Sequence, residues 1–368
     1  MISANNGGMN SALIVFPDEW LSYSPTILNI ISLLVDKGWA VTVYAVYNER
    51  YQKLQIANVK IFWVKMPKLP LIRFEKHFLY KFYKLMKLVI SLRNVRYNEY
   101  SVVIGVDSIG YCALRTVFSR GVLLSLEVAR DVFWKICQYF GIDTLIIQTE
   151  ERRDYVLKDM KNVKTFFLQN APIYDRVIPT PVRTGYKLIY FGNIIDAHGV
   201  EYCIESLNCL DDRYTLTLKG SIYERYRVDL ERKYHVLFNT RRIILDCNYV
   251  EQHNVLKYLA DYDIGFCFYS EEVISAAIFD YISAPSGKLF NYYAAGVPVI
   301  GTNIIGLKSV SDFNAGILLN DSRPEHIKKS LEIIKDNYDI YVKNCYRAAK
   351  AFDFNDSFNG ILVNLGLN

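Results

Sequence analysis

The sequence has 368 residues, of which 51% are hydrophobic and 22% are charged, and its formal net charge is +5. This length fits two domains of roughly 150 to 180 residues each, and the composition excludes a disordered chain. Seven cysteines without a C-x-x-C pair argue against a disulfide framework and against a zinc site. The first ten residues are polar and no apolar run reaches about 18 residues, so we expect a cytoplasmic protein without a membrane span.

Strand and helix patterns alternate along the first half of the chain. Apolar strand patterns lie at 11–16, 39–46, 59–64, 101–106, 121–128, 144–149 and 165–172. Helices are predicted from the Ser-Pro pair at 24–25 to Gly38, over the basic segment 76–92, and from Gly110, Ala129 and Glu150. Seven strands that alternate with helices predict a doubly wound parallel sheet.

A second α/β pattern follows a proline-rich break. Prolines at 172, 179 and 181, with no apolar periodicity between them, predict a linker at 173–185. Strand patterns then lie at 187–193, 214–221, 241–250, 264–269, 297–302 and 316–320, and helix patterns lie at 200–209, after 221, from 252, at 288–295 and from 324. We therefore expect domains at 1–172 and 186–351, with a C-terminal helix at 352–368 that packs back on the first domain.

Three loops of the second half place a glycine where a strand pattern ends or a helix pattern begins. Gly192 and Gly220 each follow a strand pattern, and Gly287 precedes Lys288 at a helix start. Glycine lets backbone N–H groups approach an anion, the helix N-terminus adds partial positive charge, and Lys288 adds a full one. One such turn is typical of any strand-to-helix loop, whereas three in order indicate a diphosphate site.

The order YFGN, LTLKGS, NYV and PSGKLFNYYAAGVPVIGT resembles the C-terminal domain of GT-B glycosyltransferases, near glycosyltransferase family 4. SPTILNIISLLVDKG, SVVIGVDSIG and TLIIQTEERRDYVLKD are similar to the first half of that family, so the resemblance spans nearly the whole chain. Only the PSGKLFNYYAAGVPV segment is highly specific. The resemblance implies a GT-B architecture, in which two doubly wound Rossmann-like domains face a central cleft. The first domain would bind the acceptor, and the second would bind the nucleotide-sugar donor.

The resemblance also implies which residues bind the donor. The matching positions are Gly192, Asn193, His198, Lys219, Gly220, Tyr249, Val250, Pro285, Ser286, Gly287, Lys288, Leu289 and Asn291. The usual arginine and lysine are replaced here by Asn193 and His198, and the usual paired glutamates by Ser283 and Asn291. Asn291 can still accept a ribose hydroxyl through its amide oxygen, more weakly than a carboxylate. As alternatives, His198 is a surface turn residue and Lys219 is a solvated lysine at a strand end.

Four carboxylates of the first half are candidates for the catalytic group. Asp18 and Glu19 follow the first strand pattern, where an inverting enzyme of this architecture holds a general base for an acceptor hydroxyl. Asp107 and Glu127 lie at the ends of later strand patterns. Family 4 members often have a histidine near the place of Glu127, and this chain has none there. For each carboxylate, a helix cap or a salt bridge is the alternative.

The segment 51–98 is strongly basic, with eleven Lys or Arg residues and one acid. Within it, an apolar set and a lysine set each recur at helical spacing: Phe78, Leu79, Phe82, Leu85, Met86 and Val89 on one stripe, and Lys81, Lys84 and Lys87 on another. A basic amphipathic helix at 76–92 is typical of proteins that bind an anionic bilayer. The alternative is a core-facing helix with a solvated lysine face. Nucleic acid is not expected as a partner, because no recognition fold is evident.

These features together predict a glycosyltransferase of the hexosyltransferase type. It would move a sugar from a nucleotide-diphosphate donor to a hydroxyl of a glycan or lipid-linked glycan in cell-surface polysaccharide assembly, as a peripheral protein on the inner face of the membrane. No metal and no cofactor are expected, because helix ends and Lys288 can stabilise the leaving group. A sugar-nucleotide epimerase of the same fold and a non-catalytic partner subunit are the alternatives.

Overall fold

The computed structural model describes residues 10–47, 54–66, 78–128, 130–158, 160–174, 186–276, 279–284 and 286–367. The chain forms two compact units, the first comprising residues 1–169 and 354–368 and the second comprising residues 170–353. From residue 175 onward the predicted linker lies outside the described residues, as does Pro285.

A parallel sheet of seven strands forms the centre of the first unit. The strands are β1 (Ser11–Phe16), β2 (Ala40–Tyr47), β3 (Val59–Lys65), β4 (Val102–Val106), β5 (Val122–Leu124), β6 (Thr144–Ile147) and β7 (Lys164–Phe167). Their order in the sheet is β3-β2-β1-β4-β5-β6-β7, so the direction of winding reverses between β1 and β4. Ligands of doubly wound sheets bind at the carboxyl ends of the strands beside such a reversal.

In the described parts of the connections between these strands there are five helices. They are α1 (Pro25–Asp36), α2 (Phe78–Leu92), α3 (Asp107–Val117), α4 (Val132–Phe140) and α5 (Glu150–Val156). α1 begins at Pro25, which suits the first helical position because its N–H would be unbonded there anyway. The chain turns after α1 at Gly38, whose φ is +77°. Because both faces of the sheet are covered, β1 is a continuous apolar run that is fully buried from Ala12 to Phe16.

A parallel sheet of six strands forms the centre of the second unit. The strands are β8 (Lys187–Phe191), β9 (Thr215–Lys219), β10 (Ile243–Asp246), β11 (Ile264–Cys267), β12 (Val299–Thr302) and β13 (Gly316–Leu319). Their order is β10-β9-β8-β11-β12-β13, which places the reversal between β8 and β11. Separate hydrophobic clusters lie around Tyr190 and around Ile189, because successive β8 side chains point to opposite faces of the sheet.

The described residues of the second unit form ten helices. They are α6 (Val200–Ser206), α7 (Glu224–Lys233), α8 (His235–Asn239), α9 (Val255–Leu259), α10 (Glu271–Ser275), α11 (Phe279–Ser283), α12 (Gly287–Ala294), α13 (Ser309–Asp312), α14 (Pro324–Asp336) and α15 (Tyr338–Ala351). The last helix, α16 (Phe354–Asn364), belongs to the first unit, where Lys164 Nζ donates to the carbonyl of Asn364 at 2.5 Å.

Several element boundaries differ from the sequence prediction, and side chains explain two of them. β5 ends at Leu124 rather than 128, because the N–H groups of Leu126 and Glu127 donate to the Asp107 carboxylate instead of to a neighbouring strand. α4 begins at Val132 rather than 129, because the Asp131 side chain accepts from the N–H groups of residues 133 and 134 as an N-cap. α3 begins at Asp107, three residues before the predicted start.

From residue 78 onward the helix predicted at 76–92 is present as α2, and positions 76 and 77 lie outside the described residues. The faces of α2 are not the predicted ones. Lys84 is buried, with 9% of its side chain exposed, and its ammonium lies 3.2 Å from Asp18 Oδ1. Phe82 and Met86 are exposed instead. The expectation of a solvated lysine stripe is therefore wrong at Lys84, because an ion pair with a distant loop places this lysine on the protein side of the helix.

The predicted α/β class with two doubly wound sheets is confirmed. In both sheets the first four strands lie in the order 3-2-1-4, which is the arrangement of dinucleotide-binding folds. Within the described ranges, no helix combines the length and the apolar character needed to cross a bilayer.

Candidate functional site

Two glycine turns lie in contact at the carboxyl ends of β8 and β9. Gly192 has a φ of +129° and Gly220 a φ of +149°, values that L side chains rarely adopt. A Cβ atom on Gly220 would lie 1.8 Å from the carbonyl oxygen of Gly192. The turns are also joined through Ser221 Oγ, which donates to Asn193 Oδ1 at 2.8 Å. Glycine is therefore required at position 220 for the two loops to meet.

The Lys288 ammonium lies against the first of these turns. Its Nζ donates to the hydroxyl of Tyr190 at 2.9 Å and lies 4.2 Å from the centre of that ring. A Cβ atom on Gly192 would be 3.7 Å from Nζ. Because β8 borders the reversal of the second sheet, this places a cation at the edge where such folds bind ligands. Lys288 is also in the first turn of α12, whose N-terminal N–H groups attract anions.

His198 belongs to the same hydrogen-bonded cluster. Its Nδ1 lies 3.0 Å from the Asn193 carbonyl oxygen and 3.0 Å from the Tyr190 hydroxyl, which itself donates to the Asn193 carbonyl at 2.7 Å. A carbonyl oxygen can only accept, so Nδ1 carries the proton and Nε2 is left as an acceptor. Burial, and then the charge of Lys288, lower the pKa of His198 from 6.5 to about 4. His198 is therefore neutral at pH 7 and does not act as a second cation.

We expect this neutral histidine to make the second unit sensitive to acid. The folded-state pKa lies below the unfolded value, so the stability that His198 contributes is complete above pH 6.5 and is lost as pH falls towards 4. The loss should reach up to about 3 kcal/mol. His198→Asn keeps an N–H donor near the position of Nδ1 and should flatten this part of the stability curve in urea unfolding at several pH values. His235→Asn, at an exposed position, should leave the curve unchanged; an equal flattening would contradict the assignment.

Lys219 is the last residue of β9, directly before the second turn, and it does not join this cluster. Its ammonium is 2.8 Å from Asp246 Oδ1 and donates to the Asn248 carbonyl at 2.6 Å, and only 3% of the side chain is exposed. It also lies 4.9 Å from the centre of the Tyr258 ring. Lys219 is paired and buried here, which differs from the solvated alternative, and its ammonium is not open to a donor in this structure. In this structure Lys219 joins the loop after β10 to the end of β9.

The other predicted donor-binding residues have varied environments. Asn170 leaves no room for a side chain at Gly287, because its Nδ2 would lie 2.8 Å from an added Cβ. The Leu289 side chain is fully buried in the core. A side-chain contact between Leu289 and a ligand is therefore excluded.

The side-chain amide of Asn291 is half-buried and makes no hydrogen bond to another described residue. After β10, Tyr249 is 69% exposed. Val250 is half-buried, and Ser286 is the N-cap residue of α12.

The four predicted carboxylates of the first unit lie in three environments. Asp18 and Glu19 bind α2, through Lys84 for Asp18 and through the hydroxyl of Tyr80 for Glu19. The Asp18 contact corresponds to the salt-bridge alternative, whereas the Glu19 contact is a hydrogen bond from a neutral donor. Asp107 lies beyond the end of β4 at the reversal of the first sheet, and the Asp18 and Glu127 charges both act on it. Glu127 itself is exposed.

Asp107 has the most unusual environment of the four. Its φ is +50°, a left-handed conformation that costs a non-glycine residue free energy. Its Oδ1 accepts from the N–H groups of Leu126 and Glu127 at 2.7 and 2.9 Å, and its Oδ2 has no hydrogen-bond partner among the described residues. Burial raises the pKa of Asp107 well above its usual range, and the neighbouring Asp18 and Glu127 charges act in the same direction.

Two residues of these sites were missed by the sequence analysis. Tyr190 orients Lys288, and the only available signal was a tyrosine two residues before a glycine turn. Arg152 is buried and its guanidinium donates to the Leu126 carbonyl and to Gln148 Oε1, both at 2.9 Å, which fixes the loop that binds Asp107. Among the described residues, no group of three or more His, Cys, Asp or Glu side chains could hold a metal ion.

No family model matches the sequence, and no curated protein matches it. Solved structures match it over nearly its whole length. HepE from Anabaena, in complex with UDP, is 12% identical, with a TM-score of 0.70 over 97% of this chain and 100% of HepE. Sucrose-phosphate synthase from Thermosynechococcus elongatus is 14% identical, with a TM-score of 0.67 over 98% of each chain. The lipopolysaccharide outer core galactosyltransferase WaaB is 12% identical, with a TM-score of 0.63 over 97% of this chain and 99% of WaaB. At such low identity the likeness shows the fold alone: this chain has the two-sheet α/β fold of the GT-B glycosyltransferases.

Proposed function

We propose that the chain is a glycosyltransferase that uses a nucleotide-diphosphate sugar as donor. The observation that carries the proposal is the Lys288 ammonium, held by Tyr190 against the Gly192 turn at the reversal of the second sheet. A cation, an open glycine turn and a helix N-terminus at one sheet edge suit a diphosphate. The complexes of the similarly folded HepE with UDP and with UDP-glucose support this choice of ligand.

The reaction would be transfer of a hexose to a hydroxyl group. The acceptor oxygen forms a bond to the anomeric carbon, the bond from that carbon to the phosphate oxygen breaks, and the electron pair goes to the diphosphate. Lys288 and the N-terminus of α12 would stabilise the charge that develops there. The acceptor proton would go to a carboxylate of the first unit. Of the four candidates we propose Asp107, because Asp18 and Glu19 are already bound to α2.

The finer parts of the function are proposals as well. We propose a glycan or lipid-linked glycan as acceptor, a role in cell-surface polysaccharide assembly, a cytoplasmic location at the membrane surface, and no requirement for a metal or cofactor. The side-chain amide of Asn291 would accept a hydrogen bond from a ribose hydroxyl, because it makes no hydrogen bond to another described residue. The domain of residues 186–351 would bind the donor and that of 1–172 the acceptor.

Lys288→Met should weaken binding of UDP by about tenfold to a hundredfold, because a charge-assisted contact to phosphate contributes about 1.5–3 kcal/mol. Binding of uridine, which lacks phosphate, should change by less than about twofold. Isothermal titration calorimetry of both ligands with both proteins measures this difference. Lys329→Met, at an exposed position of α14, is the matched control and should bind UDP like the wild type.

The same protein samples separate the proposal from its alternatives. Equal losses for UDP and uridine would show that Lys288 acts on the fold rather than on phosphate. Incubation with a panel of UDP-, GDP-, TDP- and CMP-sugars then reports the chemistry. Release of nucleotide supports a transferase, an isomerised nucleotide sugar supports an epimerase, and binding without turnover supports a non-catalytic partner subunit.

A further inference from the structure

The imidazole of His198 has one nitrogen that no described residue binds. Nδ1 is held by the Asn193 carbonyl and by the Tyr190 hydroxyl, each at 3.0 Å, whereas Nε2 has no hydrogen-bond partner within the described ranges. In the neutral ring Nε2 is an acceptor, and a proton added to it would need an acceptor of its own. The described residues supply none, so the structure favours the neutral ring.

The ammonium of Lys288 opposes a positive charge on this ring. Lys288 Nζ and His198 Nδ1 both lie within hydrogen-bonding distance of one atom, the Tyr190 hydroxyl oxygen, at 2.9 and 3.0 Å. Two positive charges this close repel each other strongly, because the fully buried Tyr190 side chain keeps water from the space between them. Burial and the Lys288 charge together lower the pKa of His198 to about 4.

The other groups around His198 do not offset the charge of Lys288. Tyr269, from the loop after β11, packs edge-on against the imidazole, with the ring centres 5.7 Å apart. The turn that carries His198 and the elements next to it hold three carboxylates: Asp196, Glu201 and Glu271. The second of these is paired with Lys233, and the other two are exposed to solvent. The ring therefore lies in a positive environment that a bound anion would neutralise.

We propose that His198 takes up a proton as the donor diphosphate binds, and then serves beside Lys288 as the second cation of the site. The inference deepens the proposed function and rests on it, because the anion is the proposed diphosphate. A diphosphate supplies both things that the imidazolium lacks, namely negative charge next to Lys288 and oxygen atoms that can accept from Nε2–H. The proton goes from the buffer to Nε2, and no bond of the donor breaks in this step. Donor affinity should therefore rise as the pH falls below neutral.

Isothermal titration calorimetry with UDP-glucose at pH 6 and pH 8 tests the proton uptake. Each titration is repeated in buffers of different ionisation enthalpy, so that the slope of the observed enthalpy gives the number of protons taken up. If binding returns the pKa of His198 to its ordinary value, uptake should be about 0.7 protons per donor at pH 6 and less than about 0.1 at pH 8. The Kd should then be about fourfold lower at pH 6 than at pH 8. The phosphates of UDP-glucose do not titrate in this range, so the proton has to go to the protein.

Two variants and one spectroscopic measurement assign the proton to this ring. His198→Asn should take up no proton at pH 6 and should bind UDP-glucose with the same Kd at both pH values, because asparagine does not titrate. His235→Asn, at an exposed position of α8, should keep the wild-type uptake. In wild-type protein labelled with 13C at histidine Cε1, one of the five histidine resonances should titrate near pH 4 without UDP-glucose and near pH 6.5 with it.

The possible failures of the inference and of the donor site give different results. If the wild type binds UDP-glucose without proton uptake at pH 6, the inference is overturned and the proposed donor site stands. Uptake that persists in His198→Asn would assign the proton to another group and would overturn the inference as well. If UDP-glucose does not bind at either pH, the donor site itself is contradicted, and the inference fails with it.

Discussion

Gly220→Ala should unfold the second unit or leave it barely stable at room temperature. The added Cβ would lie 1.8 Å from the Gly192 carbonyl oxygen and 2.6 Å from its carbonyl carbon, and both are backbone atoms. The turns cannot easily move apart, because Gly192 N–H donates to the Lys219 carbonyl at 2.9 Å and Gly220 N–H to the Asp246 carbonyl at 3.1 Å. The φ of +149° adds strain for any L side chain. We expect the free energy of unfolding to fall by more than about 4 kcal/mol.

Two other glycines separate the contributions of crowding and of backbone strain. Gly38 has a φ of +77° but open space around an added Cβ, so Gly38→Ala should cost only about 1–2 kcal/mol. Gly360 lies within α16 in open space, so Gly360→Ala should be neutral or stabilise by up to about 1 kcal/mol. Urea unfolding followed by circular dichroism gives all three values. A cost for Gly220→Ala no larger than that for Gly38→Ala would mean that the two turns are not in contact.

Much of this architecture could be predicted from local patterns. Apolar runs that end in glycine marked β8 and β9 and placed their turns at one sheet edge, since parallel strands share the direction of their carboxyl ends. Lys288 was predicted to bind an anion, because the positive charge of a lysine at a helix N-terminus is unfavourable beside the helix dipole unless an anion binds there. These features depend on residues close together in sequence. Periodicity and turn chemistry therefore suffice to predict them.

The environments that decide charge could not be predicted in this way. The interaction of Lys84 with Asp18 joins positions 66 residues apart, and it reverses which face of α2 meets solvent. The contact of Lys288 with Tyr190 spans 98 residues. The low pKa of His198 follows from burial and from the nearby Lys288 charge, which the turn sequence does not reveal. All three depend on tertiary contacts between separate elements. The sequence pattern of each element alone is compatible with many different contact partners.

Asp107→Asn should abolish transfer while leaving the fold intact. An asparagine Oδ1 can accept from the N–H groups of Leu126 and Glu127 as the carboxylate does, and asparagine tolerates a φ of +50°. What the variant loses is a group that takes the acceptor proton, which should lower turnover by about a hundredfold to ten-thousandfold. UDP affinity should stay within about threefold, because Asp107 is in the first unit and the proposed donor contacts are in the second. Initial rates with the donor sugar found in the panel, together with UDP titrations, measure both.

The free energy of unfolding distinguishes a role of Asp107 in proton transfer from a purely structural role. Burial raises the folded-state pKa of Asp107, so the stability linked to it is complete below the unfolded pKa and is lost as pH rises through the folded one. Asp107→Asn removes this loss and should be at least as stable as the wild type at pH 7. Asp18→Asn should instead lower stability by about 1–3 kcal/mol, because Lys84 would be left buried without its carboxylate. The proton transfer is assigned to Asp107 if Asp107→Asn is stable but inactive while Asp18→Asn is less stable but partly active. Full activity of Asp107→Asn would instead assign the proton transfer to Asp18, Glu19 or Glu127.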